Sequence, residues 1–196
     1  MKTVARLLVA TIACTLNVCA SITDQSEPTK DCRVVISKDL VDSKAPNFEA
    51  YALKKSETVT NPKVDIQSAE FGKAFRTVLI RAAKRGPNFA GHYRVVVWGC
   101  GSSCSSFAVV NLITGRILAT EAPAAINGVE FEVGDFMSKT DSDDTSFRYR
   151  KNSKLLVVLG ADNENSDRAG AFYFTLDDEH LKLVHFTRVV KQCAER

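Results

Sequence analysis

The pattern of apolar and polar positions predicts one amphipathic helix followed by a series of strands. Between Gln67 and Arg85, apolar residues recur at spacings of three and four, which is the period of a helix with one buried face. Gly86 and Pro87 follow as a stop signal, so the helix is expected to end near Arg85. The residues of this apolar face are Phe71, Ala74, Phe75, Val78, Leu79 and Ala82.

Short apolar runs separated by turn residues predict the strands. Val95, Val96 and Val97 are apolar at consecutive positions, so their strand is expected to have both faces covered and to lie centrally in its sheet. We therefore predict an α+β fold, in which an antiparallel β-meander is covered by one main amphipathic helix and stapled by disulfides. The other predicted strands are Arg33–Ser37, Phe107–Leu112, Arg116–Thr120, Phe131–Val133, Phe147–Arg150, Leu155–Leu159, Ala171–Leu176 and Leu181–Val190.

The first twenty residues predict a signal peptide. Lys2 and Arg6 precede an apolar run from Leu7 to Leu16 that is too short to span a bilayer, and small residues near position 20 suit cleavage. Residues 1–20 are thus expected to be removed, leaving 21–196 as a single globular α+β domain, periplasmic or secreted, without a transmembrane segment. The alternative is a lipid-anchored form through Cys19, whose neighbours at positions 17 and 18 suit lipidation poorly.

Removal of that segment changes the charge balance. The chain has 26 Lys and Arg against 23 Asp and Glu, and loss of Lys2 and Arg6 leaves 24 against 23, a net charge of +1. A nearly neutral protein lacks the basic surface that nucleic-acid binding requires, so nucleic acid is excluded as a partner. The hydrophobic content of 45% and charged content of 25% are those of a globular domain, which excludes extensive disorder.

Four cysteines remain after the predicted cleavage, and an even number in an exported chain predicts disulfides. Four cysteines allow three pairings. Cys32 and Cys193 lie near the two ends of the mature chain, and Cys100 and Cys104 lie within one turn, so we predict the bridges Cys32–Cys193 and Cys100–Cys104. The alternative is that one pair stays reduced and only packs. Redox chemistry at Cys100 is disfavoured because the spacing is not that of a thioredoxin motif.

The segment Gly99–Ser106 concentrates glycine, cysteine and serine between two predicted strands. Small residues in a tight loop can aim several backbone N–H groups at one point and form an anion nest, to which serine hydroxyls would add. The even positions of the preceding strand share one side, and they include a histidine, an arginine and the tryptophan. The candidate binding residues are therefore His92, Arg94, Trp98, Ser102 and Ser103. For His92, a structural, hydrogen-bonded histidine is the alternative.

Two charged clusters have simpler interpretations. Arg81, Lys84 and Arg85 crowd the end of the predicted helix and are interpreted as a solvated helix end, with an anion site as the alternative. The acidic loop with Asp141 and Asp143 lacks the glycine and glutamate that an EF-hand calcium site requires. The dispersed histidines also lack zinc-ligand spacing, so we expect neither a metal nor a cofactor.

The strings GPNFAGHY (86–93), WGCGSSC (98–104) and NLITG (111–115) resemble a group of small exported bacterial proteins of unknown function. The similarity covers roughly Phe48 to Thr120, together with the strings LLVVLG (155–160) and AFYFTL (171–176). This resemblance implies an exported origin and a shared fold, and it assigns no catalytic residue.

Together these patterns favour a non-catalytic periplasmic binding protein. Its partner would be another envelope protein or a component of the cell envelope, docking near the Gly99–Ser106 loop. The alternative is an envelope hydrolase that uses His92 and a residue of this loop, which requires a base, a nucleophile and oxyanion donors within hydrogen-bond reach. A structural envelope protein without a specific ligand is a third possibility.

Overall fold

The computed structural model describes residues 32–35, 45–54, 58–122, 125–127, 137, 139–163 and 165–193. The predicted signal peptide, residues 1–20, and the predicted strand Phe131–Val133 lie outside the described residues. Within these ranges, no helix has the length and apolar character needed to cross a membrane.

Ten strands and one α-helix make up the described chain. Eight strands form one sheet in the order β2-β3-β5-β7-β8-β9-β4, with β6 paired to β7, while β1 and β10 form a separate two-stranded sheet. A single 3₁₀ turn, Glu70–Gly72, precedes the helix. In chain order the elements are β1 (Cys32–Val35), α1 (Arg76–Ala83), β2 (Tyr93–Gly101), β3 (Cys104–Asn111), β4 (Ala119–Thr120), β5 (Ile126–Asn127), β6 (Phe147–Tyr149), β7 (Leu155–Asp162), β8 (Asn165–Asp177), β9 (His180–Arg188) and β10 (Val190–Cys193).

The predicted α+β fold, a helix-covered antiparallel meander, is wrong. The protein is mostly one large mixed sheet, in which β4 joins β9 in parallel and β5 pairs with both β3 and β7. A run of strands and turns specifies local hairpins such as β2–β3 and β8–β9. It does not specify the distant partner of a two-residue strand such as β4 or β5, because tertiary packing sets that pairing.

The helix is also much shorter than the predicted span Gln67–Arg85. Ser68 Oγ accepts a hydrogen bond of 2.9 Å from the N–H of Ile117, which ties the preceding segment to the sheet. Gly72 is packed against the backbone of Ile66, where a Cβ atom would collide with the carbonyl group. The spacing that predicted one long helix therefore comes from a 3₁₀ turn followed by eight α-helical residues.

Helix α1 packs on one face of β2 and β3. Leu79 and Ala83 are buried together with Val96 of β2 and Val110 of β3. The opposite face of β2 contributes to the main core with its odd-numbered residues. Both faces of Val95–Val97 are thus covered, as the sequence indicates, but β2 stands at the end of the strand order and is not central. A helix and a core can cover the two faces of an edge strand while leaving its edge open.

Strands β7 and β8 form the buried centre of the sheet. Every residue from Leu155 to Leu159 is at most 2% exposed. One face of these strands belongs to the main core, and the segment 45–54 covers the other through Phe48. Gly160 and Gly170 face each other in register, and a Cβ atom at Gly170 would collide with the carbonyl of Thr187 in β9. Glycine therefore allows the close approach of strands here.

Strands β1 and β10 bring the early and late parts of the chain together. Their antiparallel register makes Cys32 and Cys193 partners. Residues that face each other in an antiparallel pair lie at Cα separations that a disulfide can span. The Cys32–Cys193 bridge stays a prediction that this register supports.

Candidate functional site

The five candidate binding residues do not form one site. His92 immediately precedes β2, Arg94 and Trp98 lie within it, and Ser102 and Ser103 form the turn to β3. A strand advances about 3.3 Å per residue, so His92 and Ser102 lie roughly 30 Å apart along the hairpin.

The Gly99–Ser106 segment is the tip of the β2–β3 hairpin. A disulfide joins Cys100 and Cys104, whose Cα atoms are 5.1 Å apart. Ser102 and Ser103 are exposed, and Ser103 has a φ of 52°, in the left-handed region. Because both sulfurs are bonded to each other, the tip offers no nucleophilic thiolate. The two clefts described below include no residue of this tip.

Trp98 serves packing between β2 and the helical segment. Its ring stacks on that of Phe75 with 4.6 Å between centroids, and it lies 5.9 Å from the ring of Phe71. Aromatic pairs at these separations stabilise a contact beyond the area they bury. The ring of Trp98 therefore packs on the helical segment, and its indole Nε1 is buried with no hydrogen bond to a described residue.

His92 lies in a cleft of about 340 Å³ at the far end of the hairpin from the disulfide. The other polar side chains of this cleft are those of Tyr93, Lys154, Asp178 and Glu179. The imidazole ring stacks on the ring of Tyr93, with centroids 4.3 Å apart. Among the described residues that line this cleft there is no serine, threonine or cysteine. The part of this cleft that the structure describes thus places no serine or threonine hydroxyl and no cysteine thiol beside His92.

The carboxylate of Glu179, which lines the same cleft as His92, is held by contacts with other residues of the fold. Its Oε1 accepts a hydrogen bond of 2.6 Å from Asn111 Nδ2, and its Oε2 lies 3.7 Å from Arg116 Nη1. Asp178 and Glu179 both have positive φ values, 43° and 63°, and form the tight turn between β8 and β9. These contacts hold a turn that non-glycine residues adopt with difficulty.

A second cleft, of about 380 Å³, lies between α1, the edge of β2 that faces away from β3, and the segment 141–149. We call it the Arg94 cleft, since Arg94 is the half-buried cation in its wall. Of the candidate binding residues, only Arg94 lines it. The residues that line it are Val78, Arg81, Ala82, Arg85, Asn88, Arg94, Val95, Val96, Val97, Asp141, Asp143, Asp144 and Tyr149.

The guanidinium of Arg94 is held in place by the backbone. Its Nη1 donates a hydrogen bond of 2.5 Å to the carbonyl of Gly86, directly after α1. Its Nε is buried without a hydrogen-bond partner, and its Nη2 bonds to no described residue. Burial lowers the pKa of Arg94, and nearby Arg85 lowers it further, yet an arginine remains protonated at neutral pH. The cleft therefore contains a fixed cation whose charge is incompletely compensated.

The floor of the cleft is a hydrogen-bonded pair, Asn88 and Tyr149. Asn88 Nδ2 donates 3.0 Å to the Tyr149 hydroxyl and 3.3 Å to the carbonyl of Val95, while its Oδ1 accepts 2.9 Å from the Val95 N–H. Burial raises the pKa of Tyr149, so its hydroxyl is neutral at physiological pH. The floor thus offers fixed, uncharged polar groups beside the cation.

The two walls of the cleft carry opposite charge. Arg81, Arg85 and Arg94 line one wall, and Asp141, Asp143 and Asp144 line the other. Among the described residues, none of these six side chains forms an ion pair with another of the six. Opposite charges that share a cleft without pairing leave both walls available to a ligand.

The residues of both walls can be recognised in the sequence as charged clusters, but no sequence pattern indicates that the two clusters lie close together in the fold. The cluster Arg81, Lys84 and Arg85 is typical of a solvated helix end, with an anion site as the alternative, and the acidic loop lacks the pattern of an EF-hand calcium site. The signal that could have found this cleft is their common placement beside Arg94, which depends on tertiary structure. No group of three or more metal-ligating side chains occurs in the described ranges. Comparison with family models, with curated proteins and with solved structures gave no match.

Proposed function

We propose that the protein is a non-catalytic binding protein and that the Arg94 cleft receives an anionic group of its ligand. The observation that carries the proposal is the half-buried Arg94 guanidinium, fixed by Gly86 and incompletely paired in a cleft. A buried, immobilised arginine binds a carboxylate or phosphate strongly because little side-chain entropy is lost on binding. The binding site thereby moves from the hairpin tip, where the sequence pattern indicated it, to the cleft beside β2.

The geometry favours binding over hydrolysis. His92 and the Gly99–Ser106 loop lie at opposite ends of β2, so they cannot act on one substrate atom. The Arg94 cleft contains donors and carboxylates but, among the described residues that line it, no serine, cysteine or histidine. These groups can hold and orient a ligand, and covalent catalysis by one of these nucleophiles would need a residue from elsewhere.

We also propose that the protein is exported, as Lys2, Arg6 and the apolar run Leu7–Leu16 indicate. The resemblance to small exported bacterial proteins supports this location, and so does the Cys100–Cys104 disulfide, which is typical of oxidising compartments. The ligand is then another envelope protein or an envelope component. Intact-mass analysis of the exported chain is expected to show Ser21 as its first residue, and a lipid mass on Cys19 would contradict a soluble location.

The test of the cleft uses a small anion as the probe. The full chain, labelled with ¹⁵N, is titrated with sodium acetate at constant ionic strength, and methylammonium chloride serves as the matched cation. We expect saturable shifts of the Val95–Val97 amides with acetate. Arg94→Gln should weaken acetate binding roughly 10-fold or more, because a charge-assisted bond is lost. Arg150→Gln, a half-buried arginine outside the cleft, is the control and should bind acetate as the parent does.

Shifts that do not saturate, or that are equal in the parent and Arg94→Gln, would overturn the proposal. Circular dichroism of both variants separates a binding defect from misfolding. Should Arg94→Gln unfold, Arg94→Lys retains the charge and loses the planar fork, and it is expected to show an intermediate affinity.

A further inference from the structure

The outer edge of β2 changes character halfway along the strand. In an antiparallel strand the N–H and C=O groups of every second residue point to the same side. The N–H of Tyr93 donates to the carbonyl of Phe89, and both backbone groups of Val95 bond to the side chain of Asn88. By the same period, the backbone groups of Val97 and Gly99 point outward, and no described residue bonds to them on that side.

The side chain of Asn88 takes the place that a neighbouring strand would occupy beside Val95. Its amide donates to the carbonyl of Val95 and accepts from the N–H of Val95, as a paired peptide unit would. A segment added to this edge can therefore pair with Val97 and Gly99, and it must stop before Val95. The point where it stops is the wall of the cleft that contains Arg94.

The charges decide the direction of such a segment. β2 runs from Tyr93 towards Gly101, so an antiparallel segment runs the opposite way and brings its carboxyl end to Arg94. A parallel segment would bring its amino end to the same arginine. A carboxylate is attracted by the basic wall, which also includes Arg81 and Arg85, whereas an ammonium group is repelled.

We propose that the Arg94 cleft binds the carboxyl-terminal segment of an extended peptide, which adds antiparallel to β2. The inference rests on the proposed function of the cleft and names its ligand class. The terminal carboxylate bonds to Arg94, the peptide backbone pairs with Val97 and Gly99, and strand addition of this kind is a recurring mode of peptide recognition. Gly99 leaves space for the peptide side chains, since a Cβ atom there would meet no atom nearer than 3.9 Å.

The acidic wall adds a preference for charge in the peptide. Asp141 Oδ2 accepts the N–H of Lys151 at 2.8 Å, and Asp144 Oδ1 accepts the N–H of Ser146 at 2.8 Å, so both carboxylates are fixed. Asp143, also in this wall, is exposed. A peptide that carries Lys or Arg close to its terminal carboxylate complements both walls of the cleft.

The experiment uses a pool of N-acetylated random pentapeptides with free terminal carboxylates, presented to the full chain and analysed by mass spectrometry after equilibrium dialysis. The tightest peptide is then synthesised as the acid, as the carboxamide, and with single backbone N-methyl groups. We expect the carboxamide to bind roughly 10-fold more weakly, because a neutral acceptor replaces a charged one. N-methylation should weaken binding at alternate positions only, since every second peptide N–H faces β2.

Each outcome has one meaning. If acetate binds through Arg94 but the acids bind no tighter than acetate, or if acid and carboxamide bind equally, the peptide inference is wrong and the proposed function stands. Equal effects of N-methylation at all positions would exclude strand addition. If neither acetate nor the peptides depend on Arg94, the proposed function and the inference both fail. Arg150→Gln, made at an arginine that does not line the cleft, should match the parent throughout.

Discussion

Replacing Asn88 with alanine tests whether its side chain closes the outer edge of β2 at Val95. The substitution removes three hydrogen bonds, two with the backbone of Val95 and one with the Tyr149 hydroxyl. Each is worth about 0.5–1.5 kcal/mol net. Asn88 is only half-buried, so water can reach part of what it leaves, and we expect the free energy of unfolding to fall by about 2 kcal/mol.

The measurement is urea unfolding followed by circular dichroism, with amide hydrogen exchange as the local readout. The Val95 N–H bonds to Asn88 Oδ1, so its exchange should become faster by roughly 10-fold or more in the variant, in proportion to the bond lost. Asn88→Asp can still accept the hydrogen bond from the Val95 N–H, but an ionised carboxylate cannot donate the other two. Its free energy of unfolding should therefore fall by more than half of the decrease expected for Asn88→Ala.

Asn61→Ala is the matched control, because the same chemical change is made at an exposed asparagine. It is expected to stay within about 0.5 kcal/mol of the parent. If Asn88→Ala unfolds at the same urea concentration as this control, and Val95 exchange is unchanged, then Asn88 does not close the edge. The place where the added peptide stops would then lose its physical basis.

Three further predictions concern stability. Replacing Cys100 and Cys104 together with serine should lower the free energy of unfolding by about 2 kcal/mol, measured by thermal unfolding, because a closed loop is released in the unfolded chain; an unchanged Tm would contradict this. Gly170→Ala should lose about 1–3 kcal/mol by overpacking against β9, whereas Gly99→Ala, which faces open space, should be nearly neutral in the same assay. Burial raises the pKa of Tyr173 above that of an exposed tyrosine, so the unfolded chain loses the phenol proton at a lower pH than the folded protein does. The free energy of unfolding therefore falls as the pH rises above about 10. Tyr173→Phe should make this decline with pH less steep, and an equal decline in the variant and the parent would refute the prediction.

The local features of the fold could be predicted from the sequence, but the strand partners could not. Val95–Val97 is correctly indicated as a strand with both faces covered, and Leu155–Leu159 is correctly indicated as a strand, since consecutive apolar residues carry that information by themselves. The predicted helix is too long. The spacing of apolar residues between Phe71 and Ala82 fits one long α-helix as well as it fits a 3₁₀ turn followed by a short α-helix. The pairing of β4 with β9 depends on residues 61 positions apart, Ala119 with His180 and Thr120 with Leu181, and leaves no local trace.

The candidate site shows the same division. The even spacing of His92, Arg94 and Trp98 predicts that they share one side of their strand, because positions of equal parity on a strand share a face. Asn88 was missed, since its role depends on reaching Val95 across a turn that only tertiary structure defines. His92 and Ser102 were grouped with Arg94 by nearness in sequence, although an extended strand separates such residues widely.

The β1–β10 pair determines when this protein can complete its fold. The residues of this pair are 32–35 and 190–193, so the chain must be made as far as β10 before β1 finds its partner. Contacts of such sequence separation form late, because a long loop must close before they contribute. Until then β1 presents an unpaired edge, which a second chain can join. A chain truncated before β10 should consequently do more than lack that strand: it should aggregate through the unpaired edge of β1.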